Sequence, residues 1–124
     1  MKIIFDTNSL IYSIKYKIDI FKEIEKNFQQ PIELSITESV LKELDGISRS
    51  KKQSSVYARL SIHLIEKNNI KILPSRYKYT DRDILNLADR DSIVITNDKN
   101  LKELLKKRNI RTLSIREFKK IEDI

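Results

Sequence analysis

The sequence predicts an α/β fold built on a parallel sheet of about five strands, with helices on both faces. The alternation of two kinds of segment leads to this prediction. Short apolar segments alternate along the chain with longer segments in which apolar residues recur every three or four positions. Such alternation of strands and helices is typical of parallel sheets. The length of 124 residues also suits one domain, which we assign to residues 1–124.

The first strand is the apolar run at residues 3–5, which ends at a residue of helix-capping type, Asp6. The apolar positions that follow have helical spacing, and they fit either two short helices or one bent helix. Residues 32–37 alternate between apolar and polar side chains, which predicts the second strand. Thr37 then suits the N-cap of a helix that ends near Gly46, where a left-handed C-cap is expected.

The second half of the chain continues the alternation. A polar, basic segment leads into a long amphipathic helix, and Thr80 is predicted to cap a later helix. Strands are predicted at residues 70–73, 92–95 and 110–113, and a charged helix is predicted to follow the last of them.

The chain is basic and lacks residue types that particular sites require. Lys and Arg number 25 against 18 Asp and Glu, and the net charge of +7 favours a polyanionic partner such as a nucleic acid. The absence of cysteine excludes disulfides and thiolate metal sites, and a single glycine excludes glycine-rich phosphate loops. No apolar run approaches the roughly 20 residues of a membrane span. We therefore expect a soluble, cytoplasmic protein without membrane association.

Two of the predicted strands end close to an aspartate. Asp6 directly follows the first strand, and Asp98 follows the fourth. The carboxyl ends of parallel strands lie at one edge of a sheet, where ligands bind in open α/β folds. Asp6 and Asp98 are therefore expected to approach each other. Capping of the next helices is the simpler explanation of both residues, although Thr7 or Asn8 could take the capping role beside Asp6.

Helical spacing adds two further acids. Asp81 shares a face with Ile84, so it is expected to turn toward the sheet, whereas Asp83 lies about 200° round the helix and is expected on the surface. Glu43 lies three residues after Val40, at the edge of a buried stripe. An exposed helical acid is the simpler reading of both Glu43 and Asp81.

Four carboxylates at one place would repel one another unless some were protonated or a cation were bound. Oxygen ligands without Cys or His are typical of Mg²⁺ or Mn²⁺ sites. Beside a basic surface, this chemistry indicates metal-dependent hydrolysis of phosphodiesters, in which the ion activates a water. The four acids are Asp6, Glu43, Asp81 and Asp98.

Four segments that contain these acids resemble the motifs of one family. They are residues 4–10, 40–44, 81–88 and 94–101, and they occur in the family order over nearly the whole chain. The sequence is similar to the PIN-domain ribonucleases, in particular to small archaeal members related to VapC-type toxins and to rRNA-processing PIN proteins.

The resemblance implies a sheet of strand order 3-2-1-4-5 and endonucleolytic cleavage of RNA. It implies that Asp6, Glu43, Asp81 and Asp98 bind the divalent metal and that Asn8 and Thr96 support them. Asp83 falls where some relatives carry a second acid. The resemblance also implies homodimers and, in toxin members, an antitoxin partner.

Basic residues near these motifs are assigned to phosphate contacts. They are Arg49, Lys51, Lys52, Arg76, Lys78 and Lys99. Tyr77 and Tyr79 alternate with basic residues, and they either stack on unpaired bases or cover an edge of the core.

Two other functions remain open. A non-cleaving PIN-like module that binds RNA in RNA processing or ribosome assembly would keep the basic surface, but the presence of all four acids favours the nuclease. A phosphatase of the haloacid-dehalogenase type also begins with an acid after the first strand. It requires Asp at the second following position, where this chain has Asn8.

Overall fold

The protein, a computed structural model that describes residues 1–115, has the predicted α/β fold. The strands are β1 Lys2–Phe5, β2 Glu33–Thr37, β3 Lys71–Leu73, β4 Ser92–Ile95 and β5 Arg111–Leu113. The helices are α1 Thr7–Lys15, α2 Ile20–Asn27, α3 Glu38–Ser48, α4 Ser55–Lys67, α5 Thr80–Leu87 and α6 Lys99–Lys107. None of these helices is long and apolar enough to cross a membrane. The charged helix predicted after the last strand lies outside the described residues.

The five strands form one parallel sheet in the order β3-β2-β1-β4-β5, which confirms the predicted order. Helices cover both faces, so the central strand β1 contributes to two apolar cores. Ile3 and Phe5 pack with residues of α1 to α4, while Ile4 packs with residues of α5 and α6. Burial on both faces explains why the first strand is an uninterrupted apolar run. The segment before β2 contains two short helices, α1 and α2, rather than one bent helix.

The left-handed C-cap predicted at Gly46 is wrong, because Gly46 lies inside α3 without a positive φ. Left-handed residues instead follow α1, α4 and α6, at Lys17, Asn69 and Asn109, where φ is 55°, 51° and 60°. The next residue in each case is a buried isoleucine whose N–H bonds back to the last helical turn. This Schellman arrangement lets α4 and α6 lead directly into β3 and β5.

The two predicted threonine caps have different outcomes. Thr37 caps α3, because its Oγ1 accepts a hydrogen bond from the Val40 N–H at 3.1 Å. Thr80 is the first residue of α5, and the N-cap position belongs to Tyr79, which makes no capping bond through its side chain. The Thr80 hydroxyl is therefore left for a contact with another helix.

Candidate active site at the carboxyl edge of the sheet

The ends of β1 and β4 define the centre of the site. Phe5 pairs with Ile95 in the parallel register, so the next residues, Asp6 and Thr96, leave the sheet side by side. The backbone N–H of Asp6 donates to the Ile95 carbonyl at 3.2 Å, which extends the ladder to the acid itself. Because the chain continues from β1 to β2 on one side and β4 lies on the other, this edge has the geometry of a ligand crevice in open α/β sheets.

Asp6 is nearly buried, with 6% of its surface exposed, and both of its carboxylate oxygens are occupied. Oδ1 accepts the Ser9 backbone N–H at 2.8 Å, and Oδ2 accepts the Thr96 hydroxyl. Asp6 is therefore the N-cap of α1 itself, and the prediction that Thr7 or Asn8 would cap in its place is wrong. Asn8 is exposed on the first turn of α1, and its supporting role stays a prediction.

Thr96 joins the two strand-end acids. Its side chain is fully buried, and its hydroxyl donates to the Asp6 carboxylate. The same oxygen accepts the backbone N–H of Asp98 at 3.0 Å. A single hydroxyl thus fixes the position of Asp6 relative to the start of α6.

Asp98 is exposed and caps α6. Its Oδ1 accepts the backbone N–H groups of Asn100 at 2.8 Å and of Leu101 at 3.1 Å. Asp6 and Asp98 therefore both cap helices, and their role as metal ligands stays a prediction. Both caps nevertheless stand at the same edge of the sheet, which capping alone does not require.

Glu43 and Asp81 reach the site from helices. Both side chains are exposed. The Thr80 hydroxyl donates to Glu43 Oε2 at 2.7 Å, so the first residue of α5 is tied to the middle of α3. Asp81 follows Thr80 directly, at the end of α5 that faces this contact.

The pKa values of Asp81 and Asp6 are both raised in part by neighbouring carboxylates of the set. Partial burial of the Asp81 carboxyl group raises its pKa, although the residue as a whole is exposed, and the carboxylates of Asp98, Asp6 and Glu43 raise it further. Burial also raises the pKa of Asp6, against the opposing effect of hydrogen bonds from Ser9 and Thr96, and Asp98 adds to the increase. Like charges therefore converge on Asp81, as expected if all four predicted residues surround one site.

The sequence predicted that Asp81 faces the sheet and that Asp83 lies on the surface, and this assignment of the two faces of α5 is wrong. Asp81 is exposed, whereas Asp83 is fully buried beside Ile84. The buried stripe of α5 runs through residues 83 and 84 and not through residue 81. Burial of Asp83 is possible because a neighbouring loop supplies hydrogen-bond donors, which a count of apolar positions does not reveal.

Asp83 stabilises the loop between β3 and α5 through hydrogen bonds. Asp83 Oδ1 accepts the backbone N–H groups of Arg76 at 3.0 Å and of Tyr77 at 2.9 Å. Burial by itself would raise the pKa of Asp83, but polar contacts with the hydroxyls of Ser39 and Ser75 and the two amide bonds outweigh it and hold the pKa below its usual value.

Two more bonds tie this loop to the start of α3. Glu38 Oε1 accepts the Ser75 N–H at 2.8 Å, and Ser75 Oγ accepts the Ser39 N–H at 2.8 Å. The loop that carries Tyr77 and Tyr79 is consequently held against both α3 and α5.

The donor set has the chemistry that a hard divalent cation prefers. All four acids offer carboxylate oxygens, and the sequence contains no cysteine. The side chains are close enough to raise the pKa of Asp81, but among residues 1–115 no three Asp, Glu, His or Cys side chains are arranged to hold an ion as they stand.

The basic residues assigned to RNA are all exposed. Arg49 pairs with Asp45 at 3.3 Å, while Lys99 lines a groove of about 530 Å³ beside α6 and β5. Among the lining residues, those that carry positive charge are Lys99, Lys102, Lys106 and Arg111. Lys102, Lys106 and Arg111 were not predicted as RNA-binding residues. The spacing of Lys99, Lys102 and Lys106 along one helical face could have indicated the two lysines.

Fold and site together define a class of protein: an α/β domain with four acids at the carboxyl edge of a parallel sheet of order 3-2-1-4-5. The chain belongs to the PIN-like domain family, whose model matches residues 3–118. The family predicted from the four sequence motifs is therefore confirmed.

A curated relative and several solved structures are similar to the chain. Ribonuclease VapC4 of Methanocaldococcus jannaschii is 35% identical over 124 residues, which cover 98% of this chain and 95% of that protein. The structure of the PIN domain endonuclease Utp24 matches with a TM-score of 0.76 at 26% identity, over 92% of this chain and 84% of that one.

Two further structures share the fold at lower identity. VapBC-1 from nontypeable Haemophilus influenzae matches with a TM-score of 0.64 at 14% identity. VapBC2 from Rickettsia felis, bound to a DNA fragment from their promoter, matches with a TM-score of 0.59 at 17% identity. Each match covers 92% of this chain and 98% of the other.

Proposed function

We propose that this protein is a divalent-metal-dependent endoribonuclease that hydrolyses phosphodiester bonds of RNA. The observation that carries the proposal is the placement of acids at the carboxyl edge of the sheet, where Thr96 joins Asp6 to Asp98 and Thr80 joins Glu43 to the start of α5. The raised pKa of Asp81, to which these carboxylates contribute, supports it. The similarity to Ribonuclease VapC4 and to the PIN domain endonuclease Utp24 supports RNA cleavage as the activity. The net charge of +7 supports a polyanionic substrate.

Mg²⁺ or Mn²⁺ is the proposed cofactor, with Asp6, Glu43, Asp81 and Asp98 as the residues that would hold it. When bound, such an ion supplies an activated water and neutralises charge on the phosphodiester. The side chains of the protein fix the geometry. Thr96 orients Asp6, the start of α6 orients Asp98, and Thr80 orients Glu43.

RNA and an antitoxin are the proposed partners. The relatives include Ribonuclease VapC4 and two VapBC structures, which support a toxin–antitoxin role with an antitoxin bound to this chain. A homodimer, a role in rRNA processing and a cytoplasmic location remain predictions. Co-expression with a protein encoded beside this gene, followed by co-purification, tests the antitoxin proposal.

Cleavage of labelled RNA in Mn²⁺ or Mg²⁺ tests the proposed activity, with EDTA as the metal-free control. Asp6→Asn and Asp98→Asn are expected to lose activity, because each removes a charged ligand. Asp91→Asn is the matched control, since Asp91 is an exposed acid at the opposite edge of the sheet. The proposal is overturned if varied RNAs stay intact in metal, or if both ligand variants cut as fast as the Asp91 control.

A non-cleaving RNA-binding module is the second candidate. It is favoured by the observation that no three carboxylates among residues 1–115 form an ion-holding group as they stand, while a cationic groove lies beside α6. This function predicts salt-sensitive RNA binding that Asp6→Asn retains, together with no rise in melting temperature when Mn²⁺ is added.

A further inference from the structure

We call the carboxyl edge that carries Asp6, Glu43, Asp81 and Asp98 the acidic edge. A second surface feature is formed in part by residues that are close to Asp81 in sequence. It is a cavity of about 280 Å³ next to α5, and the described residues that line it are Tyr77, Arg82, Leu85, Asn86 and Arg108. They supply an aromatic ring, an aliphatic side chain, a carboxamide and two guanidinium groups. None of these lining residues is acidic, so the cavity differs in chemistry from the edge that carries the four carboxylates.

Tyr77 forms one wall of this cavity and is held in place although the residue is 42% exposed. The backbone N–H of Tyr77 donates to the buried Asp83 carboxylate at 2.9 Å. The guanidinium carbon of Arg82 lies 5.9 Å from the centroid of the ring, a cation–π distance. The ring is thus presented from a fixed backbone, which lowers the entropic cost of binding a ligand against it.

The opposite wall is fixed by a bond between two helices. Arg108, which follows α6, donates from Nη1 to the Leu85 carbonyl of α5 at 2.9 Å. Leu85 is half-buried, and Asn86 is exposed beside it. The Asn86 carboxamide has an acceptor oxygen and two donor hydrogens, which match the edge of a nucleobase in either polarity.

We propose that this cavity binds one unpaired nucleobase of the RNA, stacked on Tyr77 and hydrogen-bonded to Asn86. A flat base offers the π-face that an exposed tyrosine stacks on, and its edge offers donors and acceptors to an amide. Arg82 and Arg108 balance the charge of the adjoining phosphates. In a duplex the faces of the bases are covered by their neighbours, so the site selects single-stranded or looped RNA.

The cavity adjoins the proposed catalytic residues in sequence. Arg82 directly follows Asp81, and Tyr77 lies three residues before Thr80, which bonds to Glu43. This inference rests on the proposed endoribonuclease function, and it deepens that function by assigning a binding site for one base of the RNA to the cavity beside α5.

Fluorescence anisotropy with short labelled RNAs in EDTA measures this binding without cleavage. Tyr77→Ala is expected to bind uniform adenosine or uridine strands roughly 5- to 150-fold more weakly, the range for loss of one stacked base. Tyr77→Phe keeps the ring and is expected to bind as the unaltered protein does. Binding of a duplex of the same length is expected to be equal for all three proteins.

Tyr16→Ala is the matched control, because Tyr16 is 45% exposed and follows α1 at the opposite edge of the sheet. It is expected to leave RNA binding unchanged. Asn86→Ala provides a second test at an exposed helical position and is expected to alter the preference between adenosine and uridine strands. Melting temperatures of all variants establish that each is folded.

The proposal is overturned if Tyr77→Ala and Asn86→Ala, both folded, bind single strands as tightly as the Tyr16 control. It is also overturned if Tyr77→Phe binds as weakly as Tyr77→Ala. The two proposals fail separately. Metal-dependent cleavage with unchanged binding in these variants removes the base site alone, whereas weakened binding without any cleavage removes the nuclease activity alone.

Discussion

The acidic edge has two halves, which the fold holds in different ways. The strand half contains Asp6 and Asp98, whose carboxylates accept backbone N–H groups of the helices that follow them, and Thr96 joins the two. The helix half contains Glu43 and Asp81, which are exposed. The link within this second half is the bond from the first residue of α5 to Glu43.

This difference indicates that the acidic side chains are fixed in the strand half and adjustable in the helix half. The strand half is set by backbone geometry, whereas exposed side chains on helices keep much of their rotamer freedom. Because no three carboxylates among residues 1–115 form an ion-holding group as they stand, a cation would have to draw some of these side chains together. Substitutions in either half therefore test whether the two halves differ in rigidity.

Thr96→Val is expected to have the largest effect among the supporting residues. It leaves the nearly buried Asp6 without a hydroxyl donor and the Asp98 N–H without an acceptor. We expect about 2 kcal/mol of lost stability and roughly 10- to 100-fold lower activity. Urea unfolding and cleavage rates measure the two effects. Thr96→Ser restores the hydroxyl and should recover most of both, and failure to do so would show that packing rather than the hydrogen bond matters.

Asp83→Ala is expected to have the next largest effect, mainly on stability. It removes the acceptor of the Arg76 and Tyr77 N–H groups at a fully buried position. We expect about 1–3 kcal/mol of lost stability by urea unfolding and faster hydrogen exchange at these amides. Asp83→Asn keeps an acceptor oxygen and should lose less. Equal stability of Asp83→Ala and the unaltered protein would contradict the role assigned to this carboxylate.

Thr80→Val should have a smaller effect, confined to the helix half. It removes the donor to Glu43 at an accessible position, where water can replace the bond. We expect a loss of activity below about tenfold and an unchanged melting temperature. A loss as large as that of Thr96→Val, measured in the same cleavage assay, would show that both halves are equally fixed.

The smallest effect is expected for Lys102→Gln combined with Lys106→Gln in the groove beside α6. If each lysine contacts one phosphate of single-stranded RNA, the slope of log affinity against log salt should fall by about 1.4. Lys22→Gln with Lys26→Gln on α2 is the matched control, since both residues are exposed on another helix. An identical slope in the two double variants would show that the groove does not contact RNA.

The strand half could be predicted from the sequence because a parallel sheet brings all strand carboxyl ends to one edge. Asp6 and Asp98 were placed there from the strand pattern alone. Their capping of α1 and α6 and the bond from Thr96 depend on backbone details that the pattern does not contain. The family order of the motifs supplied the strand order, which the structure confirms.

The helix half was less predictable, because helical phase counts apolar positions and ignores partners from other segments. Asp83 is buried where surface exposure was predicted, since a loop from outside α5 supplies its donors. Thr80 was predicted as a cap and instead bonds to Glu43, 37 positions earlier. The cavity beside α5 similarly includes Arg108, which follows α6 and is distant in sequence from the other lining residues. Long-range contacts of this kind produce no residue spacing within one segment from which they could be predicted.

Calorimetric titration of Mn²⁺ tests most directly whether the two halves form one metal site. The account predicts that Asp6→Asn and Asp98→Asn in the strand half, and Glu43→Gln and Asp81→Asn in the helix half, all weaken binding. Asp91→Asn, at the opposite edge, should bind Mn²⁺ as the unaltered protein does. Equal affinity in all six proteins, or no binding in any of them, would contradict the account.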